Sequence, residues 1–145
     1  MTIVRGCNFP DTLYYDVPRH VWYAPAQDGL VRAGMTVVGV ALAREVIVFT
    51  PKRAGTSVDK GKAFATVESA KWIGSVRGAF DASVAGINDQ AAAQTRLINE
   101  DCYGEGWMVL LAPAHADWRA QLVTGNAISE AYEAWMENEA WPGCK

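Results

Sequence analysis

The sequence has few of the residues from which metal, catalytic or nucleic-acid-binding sites are built. It contains two histidines and three cysteines in 145 residues, and no pair of them has the spacing of metal ligands. Basic residues number 13 against 16 acidic ones, and they form no cluster suited to a phosphate backbone. There is no phosphate-binding glycine loop and no recognisable serine, histidine and aspartate set. We therefore predict no metal site, no catalytic residues and no nucleic-acid partner.

Long hydrophobic runs are missing as well. No stretch approaches the ~20 apolar residues of a membrane-spanning helix, and residues 1–8 lack the apolar core of a secretory signal. The odd set of cysteines, Cys7, Cys102 and Cys144, argues against a disulfide framework. The sequence thus predicts no membrane insertion and no obligatory disulfide. It also predicts a cytoplasmic protein, since the cytoplasm is the compartment in which thiols stay reduced.

Short runs rich in valine, isoleucine and aromatic residues fill most of the chain between residues 13 and 112. Such runs, separated by turn formers, are typical of strands, and Asp28-Gly29 indicates a tight turn between two of them. Many short strands at close spacing favour a mainly β sandwich or barrel. The predicted strands are residues 13–17, 21–24, 30–33, 36–41, 45–50, 63–68, 72–76, 83–87 and 107–112.

Three segments have the composition of helices. Residues 89–97 are rich in alanine and glutamine, and residues 117–122 are also helix-like. Ser129 is a suitable N-cap for a helix over residues 130–140, in which Tyr132, Trp135 and Met136 share one face. That face predicts a helix packed on the sheet, and a partner-binding role for it stays open.

The length suits one domain over residues 1–145, with a core at about 13–113 and a helical C-terminal segment at about 114–141. A chain of this size buries roughly 70 % of its unfolded surface on folding. A single core can therefore hold the fold without the help of a metal or a disulfide.

The most informative segment is VESAKW, residues 67–72. One predicted strand enters it and another leaves it, so Lys71 is expected at a hairpin tip, where it projects into water from a rigid support. A lysine on a β-turn is by itself usually an unmodified solubilising charge. The rest of the sequence decides whether this lysine has a special role.

Several motifs, in the right order, resemble the glycine cleavage H-protein family. The tip reads Glu-Ser-x-Lys, and residues 99–107, NEDCYGEGW, resemble the family's Asn-x-Asp-x-Tyr-Gly-x-Gly-Trp stretch. Residues 34–36, GMT, resemble its Gly-Ile-Thr, and residues 20–22, HVW, its His-x-Trp. The resemblance runs from about residue 14 to about residue 115.

This resemblance implies a flattened β-barrel or sandwich of the lipoyl (barrel-sandwich hybrid) type, with flanking short helices and a C-terminal helix. It implies a non-catalytic carrier with lipoate joined covalently to Lys71 as N6-lipoyllysine. Glu68 and Ser69 would shape the hairpin tip and present it to the ligase, and His20 is a possible neighbour of the arm. An ordinary turn carboxylate at Glu68 and a structural histidine at His20 remain open.

The residues after Lys71 depart from the glycine-cleavage pattern, which usually has small residues where this chain has Trp72. A second resemblance, to the lipoate-binding proteins of heterodisulfide-reductase-like sulfur oxidation, includes residues 5–10, RGCNFP, and residues 68–74, ESAKWIG. It implies an arm that carries a sulfur-bound intermediate and reducing equivalents. The implied partners are lipoate ligase or other lipoyl synthesis and transfer enzymes, the heterodisulfide-reductase-like complex and dihydrolipoamide dehydrogenase.

The sequence predicts the sulfur-oxidation carrier and leaves three alternatives open. The first is an H protein that carries the aminomethyl group between glycine decarboxylase and aminomethyltransferase. The others are a biotin carrier, although both methionines of Met-Lys-Met are absent around Lys71, and an unmodified binding domain. A cysteine that exchanges with the dithiolane is a further possibility, because Cys7 and Cys144 lie in segments shared with the sulfur-pathway proteins.

Overall fold

A computed structural model describes residues 1–144, and its architecture is mainly β with short helices, as predicted. Its strands are β1 Thr2–Val4, β2 Cys7–Phe9, β3 Tyr14–Asp16, β4 Val21–Pro25, β5 Val31–Met35, β6 Val48–Pro51, β7 Ser57–Val58, β8 Ala63–Glu68, β9 Ile73–Arg77, β10 Ala82–Ile87 and β11 Val109–Pro113. Its helices are α1 Val37–Ala43, α2 Asp89–Ala93, α3 Arg96–Glu100 and α4 Ala127–Asn138.

The strands form three antiparallel sheets. The largest has the order β3-β4-β5-β11-β10-β7, a second has the order β6-β8-β9, and β1 and β2 form a separate hairpin. Alternation explains how the β6-β8-β9 sheet covers the core. Phe49, Val67 and Gly74 lie side by side on its inner face, whereas their neighbours Val48 and Ile73 point outward.

A second apolar cluster joins the two ends of the chain. Phe9 of the β1-β2 hairpin stacks on Tyr132 of α4 with a centroid distance of 4.0 Å. Ile128, Tyr132 and Met136 of α4 are fully buried at a spacing of four residues. The apolar face of α4 therefore packs on the sheet, as predicted. The helix begins at Ala127 rather than at residue 130, and Ile128 already belongs to the buried face.

Two secondary-structure predictions are wrong. The sequence predicts a strand over residues 36–41, but residues 37–41 belong to helix α1. The helix begins there because the Thr36 hydroxyl accepts the Gly39 N–H at 3.3 Å and caps it. Residues 117–122 were expected to be helical, yet they form successive turns. Their backbone bonds join residues three apart, such as Ala120 N to Asp117 O at 3.0 Å, and the helical ladder does not form.

The prediction that the cysteines form no disulfide framework is also wrong. Cys7 and Cys144 form a disulfide with a Cα–Cα distance of 4.9 Å, across 137 residues of sequence. The fold brings these ends together when α4 packs on the β1-β2 hairpin, and an odd cysteine count carries no information about such a long-range contact. Cys102 stays a buried free thiol.

The two short motifs at residues 20–22 and 34–36 pair with each other across neighbouring strands. Trp22 of β4 is opposite Gly34 of β5, and a Cβ at position 34 would lie 2.9 Å from the indole ring. The Trp22 Nε1–H donates to the Cys102 carbonyl oxygen at 2.9 Å, which fixes the ring. Glycine at position 34 therefore leaves the space that the buried ring needs.

We expect Gly34→Ala to destabilise the fold by about 1–3 kcal/mol, because the added methyl group must displace a fully buried, hydrogen-bonded indole. Urea unfolding followed by tryptophan fluorescence measures the loss. Gly86→Ala is the control, since a Cβ at that strand position would meet Leu110 atoms at an ordinary 3.6 Å. Equal losses for the two variants would refute this account of Gly34.

Candidate functional site

Lys71 lies at the tip of the hairpin between β8 and β9, as predicted. The turn is closed by the Ser69 N–H, which donates to the Trp72 carbonyl oxygen at 2.9 Å. Lys71 is exposed, and within residues 1–144 its ammonium forms no hydrogen bond or ion pair. The lysine amine is therefore free to be approached by another protein from a support that two paired strands hold in place.

Glu68 and Ser69 make different contributions to the tip. The Ser69 hydroxyl accepts the Lys71 backbone N–H at 3.4 Å, so it helps to shape the turn. The Glu68 carbonyl oxygen accepts the Ile47 N–H at 2.7 Å, while its side chain is half-buried on the outward face between Val48 and Ile73. Glu68 and Ser69 thus both lie at the hairpin tip, and the recognition of these two side chains by a ligase stays a prediction.

Exposed apolar side chains gather around this tip. We call them the apolar rim: Leu42, Ile47, Val48, Trp72 and Ile73, with exposed fractions between 39 % for Trp72 and 71 % for Ile73. Val48 and Ile73 flank Glu68 across the sheet, and Leu42 and Trp72 share the wall of a neighbouring cleft. Exposed apolar side chains grouped in this way typically mark a contact with another molecule.

An apolar cleft of about 210 Å³ lies next to the tip. Its walls come from α1, from β5, β8 and β9 and from the turn before β4, and they include His20, Met35, Leu42, Val67, Trp72 and Val76. The Trp72 ring folds back over Gly74, where any Cβ would collide with the indole. The cleft therefore depends on glycine at position 74 and is partly filled by the residue next to Lys71.

His20 lies in the wall of this cleft, where the sequence predicted a neighbour of the arm. Its ring packs edge-to-face on Trp135 with a centroid distance of 4.5 Å, and its Nδ1 has no partner among the described residues. Burial lowers the pKa of His20 from 6.5 to about 4. His20 is therefore neutral at pH 7, and its ring is available to an apolar group in the cleft.

The depressed pKa of His20 predicts that stability falls with acidity. The His20 imidazole takes up a proton near pH 6.5 in the unfolded chain but only near pH 4 in the folded chain. The contribution of this group to the free energy of unfolding is therefore complete above pH 6.5 and is lost as the pH falls from 6.5 to 4. We expect the free energy of unfolding to change by up to roughly 1.4 kcal/mol per pH unit in this window from this group.

Urea titrations of wild type and His20→Asn between pH 4 and 7 measure this effect. Asparagine tolerates the φ of +61° at this position and does not titrate, so its pH dependence should be shallower. His115→Asn is the control, because the His115 side chain is 70 % exposed. Parallel pH profiles for wild type and His20→Asn would contradict this prediction.

Other chemistry-bearing groups lie away from the tip. Burial raises the pKa of the Cys102 thiol to about 12, so this thiol is a poor nucleophile at pH 7. Among residues 1–144, no three histidine, cysteine or acidic side chains come together as a metal site. None of the helices there is long and apolar enough to cross a membrane.

Sequence reasoning identified the tip but missed the apolar rim. Leu42, Ile47, Val48 and Ile73 have the same residue types as core positions, and only the folded structure shows that they are exposed. The signal that was available is the register. In an alternating strand that contains the buried Phe49, its neighbour Val48 must point to the opposite face.

Comparison with known proteins places this chain among relatives of one family. The family profile described as glycine cleavage H-protein matches residues 13–135. "Glycine cleavage system H protein 2" of Aquifex aeolicus is 40 % identical over 136 residues, which cover 93 % of this chain and 84 % of that protein. "Glycine cleavage system H protein 5" of the same organism is 37 % identical, with 90 % of each chain covered.

Two further similarities agree. "Probable glycine cleavage system H protein 3" of Sulfolobus acidocaldarius is 38 % identical over 111 residues, covering 76 % of this chain and 75 % of that protein. The crystal structure of a glycine cleavage system H protein from Mycobacterium marinum superposes with a TM-score of 0.74 at 24 % identity, covering 87 % of this chain and 99 % of the other. This likeness confirms the predicted fold class.

Proposed function

Because this chain belongs to the glycine cleavage H-protein family, whose members are non-catalytic carriers of covalently attached lipoate, we propose that it carries lipoate on Lys71. One observation carries this proposal: Lys71 is an exposed lysine without a partner among the described residues, at the tip of a rigid hairpin beside an apolar cleft. We also propose that residues 1–145 act as one domain, with no catalytic residue of their own.

The residues around the tip fit a lipoyl group. Amide formation removes the charge of Lys71 and adds a mostly hydrocarbon chain, which an apolar cleft can accept. Met35, Val67 and Val76 provide apolar wall, and neutral His20 adds a ring without a charge. In this proposal Ser69 holds the tip turn, Glu68 presents it to the ligase, and His20 contacts the arm.

The attached group supplies a disulfide that can be reduced and reoxidised, and the chain supplies position and recognition. The β8-β9 hairpin fixes the point of attachment, so a docked enzyme meets the arm at a high effective concentration. The apolar rim gives such an enzyme a surface to bury next to Lys71.

The system we propose is glycine cleavage, since the relatives that cover most of this chain bear that name. The proposed partners are glycine decarboxylase, aminomethyltransferase, dihydrolipoamide dehydrogenase and the lipoate ligase or transfer enzymes. We expect the lipoylated protein to support glycine–bicarbonate exchange by glycine decarboxylase at a rate comparable with that of an authentic H protein. The unlipoylated protein is the control, and exchange no faster than this control would refute the glycine-cleavage proposal.

A second candidate function is carriage of a sulfur-bound intermediate to a heterodisulfide-reductase-like complex. The observation that favours it is Trp72, whose ring occupies part of the cleft next to Lys71, where the glycine-cleavage pattern has a small residue. A bulky ring there can exclude one enzyme while it suits another. This candidate predicts little exchange activity, and loss of thiosulfate oxidation with intact glycine use after gene disruption.

We propose the cytoplasm as the compartment. Fractionation of cells that express the natural protein, probed for lipoyl-lysine, tests this. Cytosolic disulfides, when present, are usually transient, catalytic or redox-sensing. The Cys7–Cys144 disulfide therefore needs an explanation in that compartment.

A further inference from the structure

Two glycine-cysteine pairs meet where the C-terminal tail crosses the β1-β2 turn. Gly6 and Gly143 both have positive φ, +83° and +119°. A Cβ on Gly6 would lie 2.5 Å from the Cys144 carbonyl oxygen, and a Cβ on Gly143 would collide with the Arg5 carbonyl oxygen. Glycine at both positions lets the two backbones approach, and each glycine is followed directly by one of the bonded cysteines.

Contacts other than the disulfide hold the tail in place. The Cys144 N–H donates to the Arg5 carbonyl oxygen at 3.0 Å, and the Arg5 Nη1–H donates to the Trp141 carbonyl oxygen at 3.0 Å. The Arg5 guanidinium also pairs with Glu133 and, at 2.9 Å, with Glu137 of α4. Because these contacts do not need the sulfur–sulfur bond, the two cysteines should stay neighbours after it opens.

The two sulfurs differ in access. Cys7 is 1 % exposed and belongs to the second apolar cluster, whereas Cys144 is only half-buried. A groove of about 640 Å³ runs along the disulfide, and its walls include Val37, Val40, Tyr103 and Trp141 as well as both cysteines. An attacking thiolate can therefore approach Cys144 through this groove, with Cys7 as the leaving group.

We propose that Cys7 and Cys144 form a second redox site, which accepts two electrons from a dithiol of the dihydrolipoyl class. One thiolate of the dithiol attacks Cys144 Sγ, and the Cys7–Cys144 bond breaks and releases the Cys7 thiolate, which takes up a proton. The second thiolate then attacks the sulfur of the dithiol in this mixed disulfide, the bond from that sulfur to Cys144 Sγ breaks, and the Cys144 thiolate leaves and takes up a proton. The products are the oxidised cyclic disulfide and two cysteine thiols, so atoms and electrons balance.

The groove and the cleft beside Lys71 lie on opposite sides of helix α1. Gly39 and Leu42 of this helix face the cleft, whereas Val37 and Val40 face the groove.

The choice of a dihydrolipoyl dithiol rests on the proposed function. The lipoyl arm of the same chain and the lipoyl arm of a second copy present the same chemistry to the disulfide. Electron transfer in lipoylated protein distinguishes them, since only transfer between copies becomes faster with protein concentration.

The test uses unlipoylated Lys71→Arg protein and free dihydrolipoamide, so it does not depend on lipoylation. After native reduction, alkylation and mass spectrometry should find Cys7 and Cys144 modified, Cys102 unmodified and the circular dichroism spectrum folded. The rate should rise in proportion to the dithiol concentration. Reduction that occurs only as the protein unfolds would overturn the proposal and leave a purely structural bridge.

Three further variants sharpen the test. Val84→Ala removes buried methyl groups from the other apolar cluster and should raise the unfolded population roughly tenfold or more. Attack on the folded protein predicts a reduction rate unchanged within about twofold, whereas reduction through unfolding predicts a parallel rise. With lipoamide, Cys7→Ser should form a mixed disulfide at Cys144 at least about tenfold faster than Cys144→Ser does at Cys7, and equal rates would overturn the assigned order of attack.

Discussion

Lys71→Arg should keep the fold and lose lipoylation completely. Arginine retains the positive charge and a long side chain at the hairpin tip, but its guanidinium cannot form the lysyl amide. Because the Lys71 ammonium forms no hydrogen bond or ion pair within residues 1–144, the folded state should lose no contact from it. Coexpression with a lipoate ligase and lipoate, followed by intact mass, measures the loss.

Lys62→Arg is the matched control, because Lys62 is also exposed and lies just before β8. This variant should be lipoylated as fully as wild type. Peptide mapping of wild type should find lipoate on Lys71 and none on the other lysines. Lipoate on Lys52, Lys60 or Lys62 would disprove the assignment of the attachment site.

Cys7→Ser combined with Cys144→Ser should lower the melting temperature by roughly 10–20 °C. The bond closes a loop of 137 residues, and the chain-entropy account of such a loop gives about 5 kcal/mol, which corresponds to about 2–4 °C per kcal/mol in a domain of this size. Calorimetry measures the shift. The variant should still fold, because the Arg5 contacts and the packing of α4 remain.

Cys102→Ala separates loss of the bond from loss of a buried sulfur, since Cys102 is buried and unbonded. Reduced wild type should have nearly the same melting temperature as the double variant. The melting temperature of Cys102→Ala should instead stay close to that of oxidised wild type. If the double variant melted within about 2 °C of oxidised wild type, the bridge would have no stabilising role.

The sequence predicts the strands whose composition agrees with their tertiary environment. Residues 63–68 form β8 over the predicted range, because a segment with Phe64, Thr66 and Val67 favours a strand and pairs with β6 on one side and β9 on the other. Residues 36–41 carry the same β-branched composition and still form α1, since a threonine cap and packing of Val38 in the core override the strand preference. Local composition cannot show which of these influences is stronger.

The candidate site was predictable where it is local in sequence. Lys71, Glu68 and Ser69 are neighbours in one hairpin, so their relative placement follows from two strands and a turn. The cleft walls and the disulfide join residues far apart in the chain, such as His20 with Trp72 and Cys7 with Cys144. Their proximity depends on the whole topology, which pattern reasoning along one sequence does not provide.

The joining of the two chain ends also sets an order of events during synthesis. Phe9 and Val4 of the β1-β2 hairpin are buried against α4, whose residues leave the ribosome more than 100 residues later. At about 5–20 residues per second, the hairpin waits roughly 6–24 seconds for its partner helix. The β8-β9 hairpin has both strands within 15 residues. The part of the chain that we expect a ligase to recognise can thus be made long before the ends close.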